Sequence, residues 1–402
     1  MTIRELLLPF LAPLGGPATG ALDCGRLVTE GQESIAVLWN FGVSGGACGE
    51  AEATEFAAAV DAAISADRPL VTVTASGGTK LTEGMAALVG IPRMTIALQR
   101  LRAARLPHVS IADSPTTGGV WVAVGCSADI RCGVAGATVA FSGPRVVEAM
   151  TGAVVPRGAG TAESAYAAGL LDAVLPDEEV LGWLTSAMQA IGGGTPPGRL
   201  SLNGADSTVG ATVARISGHR VVHVLLAQEP GAFVTAAGFR LLGRAARLAD
   251  TIDAPLVVRI DTLGGDPTDA DVPRALGEAM RDVLACRSPT LAVVQGAGGS
   301  GGALAGAVTD AVVVSEGGWF AALAPAGAAA TLRRPVPEVV ELMRQQPHQL
   351  LEDGFADAIY AEADEPVVIG EALNSLVAIG PAERLARRTR RWSEPLSPRG
   401  LS

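Results

Sequence analysis

Four glycine pairs carry the clearest chemical signal in this chain. Gly77-Gly78 and Gly264-Gly265 each close an apolar, β-branched run. Gly118-Gly119 and Gly301-Gly302 each open a stretch of small residues, Val120–Cys126 and Ala303–Val308. A glycine pair by itself permits a tight turn or a close backbone approach. A pair that runs straight into a helix does more, because the first helical N–H groups lack intrahelical acceptors and point at one spot. Donors held this way stabilise an oxyanion, here the enolate oxygen of a thioester, and each is worth about 3–4 kcal/mol of barrier. Two such places in one chain point to two carbonyl compounds.

Other chemistries are poorly supplied. The four histidines, His108, His219, His223 and His348, stand beside no glycine pair, and no Gly-x-Ser-x-Gly elbow occurs. Cys24, Cys48, Cys126, Cys132 and Cys286 form no Cys-x-x-Cys pair, so neither a zinc ribbon nor a disulfide framework is expected. No metal-ligand cluster stands out.

The elements that must position the pairs occur twice. Strand-like Ile35–Phe41 and Val221–Ala227 start 186 positions apart, as do Arg68–Val73 and Ala254–Arg259. Helix-like stretches, Ala51–Ala66 and Val234–Ile252, lie between them. The first glycine pairs are then 187 apart, and short strands Val109–Ala112 and Leu291–Val294 lead to the second pairs, 183 apart. Asp129 and Asp310, like Pro144 and Pro325, are 181 apart. This pattern predicts a duplicated β-α-β-α-β unit with right-handed crossovers and mostly parallel sheets. The turn-rich run Gly192–Gly198 divides domains 1-194 and 199-402. The basic tail Arg384–Trp392 reads as an exposed helix.

Composition sets the class. A chain of 402 residues, 49% apolar and 18% charged, suits two folded domains and excludes general disorder. A net charge of −11 argues against a nucleic-acid surface but leaves room for a local anion pocket. Residues 1–14 lack a basic region followed by a clean apolar core, and the apolar stretch 291–314 is broken by Gly296–Gly302 and Asp310. Neither a signal peptide nor a membrane span is expected, and the reduced thiols suit the cytoplasm.

Longer motifs add a resemblance. Ser76-Gly77-Gly78-Thr79-Lys80-Leu81-Thr82-Glu83-Gly84, Asp113–Val120 and Phe141–Glu148 resemble SGGARMQE, DPTMGGV and FAGPRVIE of the bacterial acetyl-CoA carboxylase carboxyltransferase β subunit. Gly298–Ala305 and Ala324–Ala329 resemble GGSGGALA and SPEGCA of the α subunit. Over about residues 35–335 the chain looks like a β–α fusion in the biotin-dependent acyl-CoA carboxyltransferase family.

That resemblance implies an α/β protein, a tandem duplication of the crotonase-type (ββα spiral) fold. The N-terminal, β-like domain would take acyl-CoA and the C-terminal, α-like domain biotin. The implied reaction moves CO2 from carboxybiotin to the α-carbon of an acyl-CoA, or of an acyl carrier thioester. Gly118 and Gly119 would form one oxyanion hole, and Gly302 and Ala303 the other; which serves which substrate stays open. Ser76, Gly77 and Gly78 would lie near the thioester arm, with Gly264, Gly265 and Gly301 binding in the second half. Lys80 would meet a CoA phosphate or be an exposed helix lysine. Arg145 would do the same or pair with a carboxylate, and Glu83 would cap or brace a helix. With Lys80 as its only lysine and no biotinyl-lysine motif, the chain would need biotin on a separate carrier protein, with a biotin carboxylase subunit as partner. The family halves face each other across a dimer interface, implying a homo-oligomer, a dimer or a trimer of dimers.

Three positions depart from the family pattern: Leu263 replaces a proline, and Ala297 and Ala326 each replace a glutamate. All lie in the half expected to take biotin. Trp121 puts a large ring just after Gly119, where it either narrows the acyl pocket or packs on the sheet. The alternatives are a biotin-independent decarboxylase of a malonyl-type thioester and a non-catalytic scaffold subunit.

Overall fold

A computed structural model describes residues 2–15, 18–143, 146–148, 152, 154, 156, 158–192 and 200–393. The chain falls into two compact units, Met1–Gly198 and Arg199–Ser402; the turn-rich run from Gly193 to Gly198 lies outside the described residues.

In the first unit the strands are β1 (Leu11–Pro13), β2 (Leu22–Thr29), β3 (Gln32–Trp39), β4 (Leu70–Ser76), β5 (His108–Thr117), β6 (Ile130–Val134), β7 (Val139–Ala140) and β8 (Ala173–Leu175). They pair in the order β1-β2-β3-β4-β5-β6-β8, with β7 added beside β5. The β2–β3 pair is antiparallel and every step from β3 to β8 is parallel. Leu70–Ser76 is buried at all seven positions, as a parallel strand covered on both faces must be. The Glu50–Ala66 and Met85–Ala103 helices cover one face. Their contact with the sheet builds a core around Val37, Trp39, Phe56, Leu70, Met94 and Val120.

The second unit repeats this plan. Its strands are β9 (Leu200–Leu202), β10 (Val209–Ile216), β11 (His219–Leu226), β12 (Ala232–Val234), β13 (Leu256–Gly265), β14 (Thr290–Gly299), β15 (Ala311–Ser315), β16 (Trp319–Ala321) and β17 (Ala358–Tyr360). Their order is β17-β15-β14-β13-β11-β10-β9, with β16 beside β14 and β12 beside β13. The Ala236–Thr251 and Val272–Ala285 helices follow β12 and β13.

The aspartates that marked the repeat have a shared task. Asp129 Oδ2 accepts the N–H of His108 at 2.9 Å, and Asp310 Oδ2 accepts that of Thr290 at 2.8 Å. Each fixes the first residue of the strand that leads to the second glycine pair of its unit. One strand further on, Asp172 and Asp357 hold the second residue, accepting from the N–H of Arg131 and Val312 at 2.8 and 2.7 Å.

The tail departs from expectation. A helix forms over Pro381–Ser393, but Arg384, Arg388 and Arg391 on it are buried, at 4%, 1% and 3% exposure. Arg388 pairs with Asp310 at 2.6 Å and also donates to the Val283 and Ser288 carbonyls. Arg391 pairs with Asp357 at 2.7 Å, and Arg384 donates to the Leu376 and Arg287 carbonyls. Guanidinium groups can be buried when carboxylates and backbone carbonyls take up their donors; for Arg388 every nitrogen is bonded, whereas Nε of Arg384 and of Arg391 has no partner.

Candidate functional site

In each unit a glycine turn leaves one parallel strand and lies against the helix start that leaves the next. In the first unit β4 ends at Ser76, which pairs with Thr116 of β5. Gly78 then adopts φ +104°, a region that side chains rarely enter. A Cβ on Gly78 would sit 3.3 Å from the Gly118 Cα, so the two backbones touch. Gly118, at φ +62°, opens a helix that runs through Gly118–Val120 and continues as a π-turn over Trp121–Gly125. The Gly118 N–H bonds to the Phe141 carbonyl at 3.1 Å; Gly119 follows in the first turn, where helical N–H groups lack intrahelical acceptors.

A neighbouring loop holds the turn. Gly77 N–H bonds to the Gly45 carbonyl, Cys48 N–H to that of Gly78, and Lys80 N–H to that of Cys48, at 2.8–2.9 Å. Lys80 Nζ lies 2.9 Å from Glu52 and 3.1 Å from Glu83. Those carboxylates in turn cap the Glu50–Ala66 helix, Glu52 accepting from Gly49 N and Glu83 from Glu50 N, both at 2.8 Å. The Glu52 hydrogen bond, ahead of the Glu83 one, raises the Lys80 pKa, so the ammonium stays charged. Lys80 thus bridges two carboxylates of this loop, and Glu83 caps the Glu50–Ala66 helix.

The second unit has the same geometry. Thr262 of β13 pairs with Gly298 of β14, and Gly264 stands at φ +126°. A Cβ there would lie 2.4 Å from Ser300 Oγ. Ser300, at φ +57°, opens the Ser300–Ala307 helix. The ladder thus pairs Gly118-Gly119 with Ser300-Gly301, 182 positions on, and not with Gly301-Gly302 as the sequence spacing proposed. Hydrogen-bond register fixes this equivalence, whereas similarity of glycine pairs slipped it by one. Gly302 and Ala303 come one turn position later. A Cβ on Gly302 would be 2.2 Å from Gly265 N, so Gly302 lets the helix meet the turn backbone to backbone; Ala303 is fully buried. Gly301 is exposed with open space around it. Gly265 packs against Val272.

Other expected residues fall less centrally. Ser76 is fully buried, its hydroxyl bonded to Gly46 O and Gly78 N. Trp121 is buried and lies over Gly125, where a Cβ would meet the ring at 2.4 Å. Arg145 lies outside the described residues. Cys48, which the sequence did not single out, sits in the holding loop; burial, then Glu52, raises its pKa to about 12, leaving an unreactive thiol. His108, the first residue of β5, is buried with Nε2 at 2.9 Å from Thr72 Oγ1, and burial lowers its pKa to about 3. Among the described residues no group of three or more His, Cys, Asp or Glu side chains is placed to hold a metal, and no helix is long and apolar enough to cross a membrane.

These two turns can now be set beside known proteins. Residues 18–186 match the carboxyl transferase domain model, and residues 207–374 match the acetyl co-enzyme A carboxylase carboxyltransferase-like model. The chain belongs to the biotin-dependent acyl-CoA carboxyltransferase family. Relatives of this carboxyltransferase include the acetyl-coenzyme A carboxylase carboxyl transferase subunits beta/alpha of Salinispora arenicola, 29% identical over 85% of this chain and 73% of that one. A probable biotin-dependent acyl-coenzyme A carboxylase beta3 subunit of Mycobacterium tuberculosis is also 29% identical, over 95% of this chain and 91% of that one. The crystal structure of transcarboxylase 12S, with hydrolysed methylmalonyl-coenzyme A bound, superposes with a TM-score of 0.81 at 19% identity, covering 94% of this carboxyltransferase and 89% of its own chain. That likeness establishes the crotonase-type fold of both units.

Proposed function

We propose that the chain moves a carboxyl group between carboxybiotin and the α-carbon of an acyl-CoA, with domain 1-194 taking the acyl-CoA and domain 199-402 the biotin. The observation that carries this most is a pair of carboxyltransferase domain matches, each coinciding with a glycine turn packed on a helix start. In the first unit the N–H groups beginning at Gly119 face the place where a thioester oxygen gains charge as its α-proton leaves. Fixed backbone donors favour that enolate over the neutral thioester, which is what lowers the barrier. In the second unit the N–H groups at this helix start, with open space beside Gly301 and a long 3.5 Å bond from Gly302 N to Ser300 Oγ, suit a urea carbonyl. Biotin, carried on a separate protein, supplies the nitrogen that holds the carboxyl group. A biotin carboxyl carrier with its carboxylase subunit, and a homo-oligomer of at least two chains, complete this reading.

A second reading, decarboxylation without biotin, draws on Ala297. Where the family pattern has a glutamate, Ala297 is nearly buried and its N–H is held by Asp261 at 2.8 Å. Incubation with malonyl-CoA and methylmalonyl-CoA, with and without free biotin, separates the two by mass spectrometry of the thioester product. Carboxyl loss that requires biotin supports carboxyl transfer. Rapid loss without biotin makes the chain a decarboxylase, and no turnover with either points to another substrate or a scaffold.

A further inference from the structure

The two units share a device at their glycine turns that neither spacing nor motif disclosed. Ser76 Oγ donates to the Gly46 carbonyl at 2.6 Å and accepts the Gly78 N–H at 3.0 Å. Thr262 Oγ1 donates to the Ala232 carbonyl at 2.5 Å and accepts the Gly264 N–H at 3.0 Å. Gly46 and Ala232, Ser76 and Thr262, and Gly78 and Gly264 are each 186 positions apart. So are the partners of the adjoining bridges, Cys48 with Thr79 and Val234 with Gly265. Both hydroxyls are completely buried.

The residue differs between the units while the hydroxyl and both of its bonds persist. A hydroxyl is a small side-chain group that can donate to one backbone and accept from another at once. Here it ties the glycine turn to the loop beside it. Gly78 and Gly264 sit at positive φ, one of several conformations open to glycine, and the hydroxyl bonds help to select it. The same two glycines touch Gly118 and Ser300, which open the donor helices. Turning either glycine peptide would re-aim the wall of that helix start.

We propose that Ser76 and Thr262 are equivalent positioning residues, one for each co-substrate. Each latches the glycine turn of its own unit and acts on the reaction only through that turn. Allotting one turn to each co-substrate rests on the carboxyltransferase reading; the latch itself does not.

The test compares S76A and T262V with the hydroxyl-keeping S76T and T262S in the full chain. With methylmalonyl-CoA and free biotin, S76A should weaken turnover or KM for the thioester by about 10- to 100-fold and leave KM for biotin near wild type, and T262V should do the reverse. S76T and T262S should stay within a few-fold of wild type. Amide exchange is read in parallel. The peptide spanning Gly77–Lys80 should exchange at least about ten times faster in S76A only, and that spanning Leu263–Asp266 in T262V only. Equal loss for both co-substrates would overturn the division of labour. Unchanged exchange in S76A and T262V would overturn the latch. A wild-type chain that turns over nothing would count against the carboxyltransferase reading alone, and exchange would then decide the latch.

Discussion

Glycine matters at the two helix starts for different reasons, and substitution should expose this. A Cβ on Gly119 would meet the Ile91 Cδ1 at 2.5 Å, the far end of a side chain that can rotate away. A Cβ on Gly302 would meet the backbone nitrogen of Gly265 at 2.2 Å, which cannot yield without moving the turn. G119A is therefore expected to fold at a cost below about 1.5 kcal/mol, and G302A to lose about 1–3 kcal/mol in urea unfolding. His108 gives a second residue-scale prediction. Its folded pKa, about 3, lies below the ordinary histidine value because burial disfavours the imidazolium. The unfolded chain thus binds more protons as pH falls below about 6.5, so stability should fall with pH, by up to about 1.4 kcal/mol per unit from this group. Unfolding free energies measured from pH 7 to 4 should show a shallower slope in H108N, by about one proton. A third concerns Cys48 and Cys286. Burial raises both thiols to about 12, so neither should react with iodoacetamide at pH 8 until the chain is unfolded, as peptide mapping would read.

The elements explain why the turns are so well fixed. In each unit the strand that leads to the helix start is anchored at its first residue by an aspartate, and the strand beside it carries the hydroxyl latch. In the second unit the aspartate anchors are also gripped by arginines of the Pro381–Ser393 helix. Arg388 and Asp310 are almost wholly buried, so removing one partner leaves an uncompensated charge in low dielectric. R388M should destabilise the second unit by about 3–5 kcal/mol, while a substitution at exposed Arg390 should change little. Equilibrium unfolding with hydrogen exchange resolved between the units would check both. Composition alone predicts an exposed helix here, because arginine is mostly a surface residue. Arginines three and four apart share one helix face, a signal that could have marked the buried stripe.

At the scale of the molecule, a homo-oligomer is the remaining expectation. A homodimer of the 40.6 kDa chain would have a mass of about 81 kDa by light scattering, and a monomer would remove the oligomer from the proposed function. By itself the sequence determined the duplication, the parallel α/β plan and the family, since these rest on apolar periodicity and ordered motifs, which are local. It also placed the glycines that make the turns. It did not determine which glycine answers which: Gly118 corresponds to Ser300, because ladder pairing of Ser76 with Thr116 and Thr262 with Gly298 sets the register. Nor could it tell that Lys80 braces two carboxylates, that Ser76 and Thr262 are latches, or that the tail arginines are buried. Apart from Glu83, three residues from Lys80, each of those depends on a partner 28 or more residues away, and only chain folding brings such partners to within 3 Å.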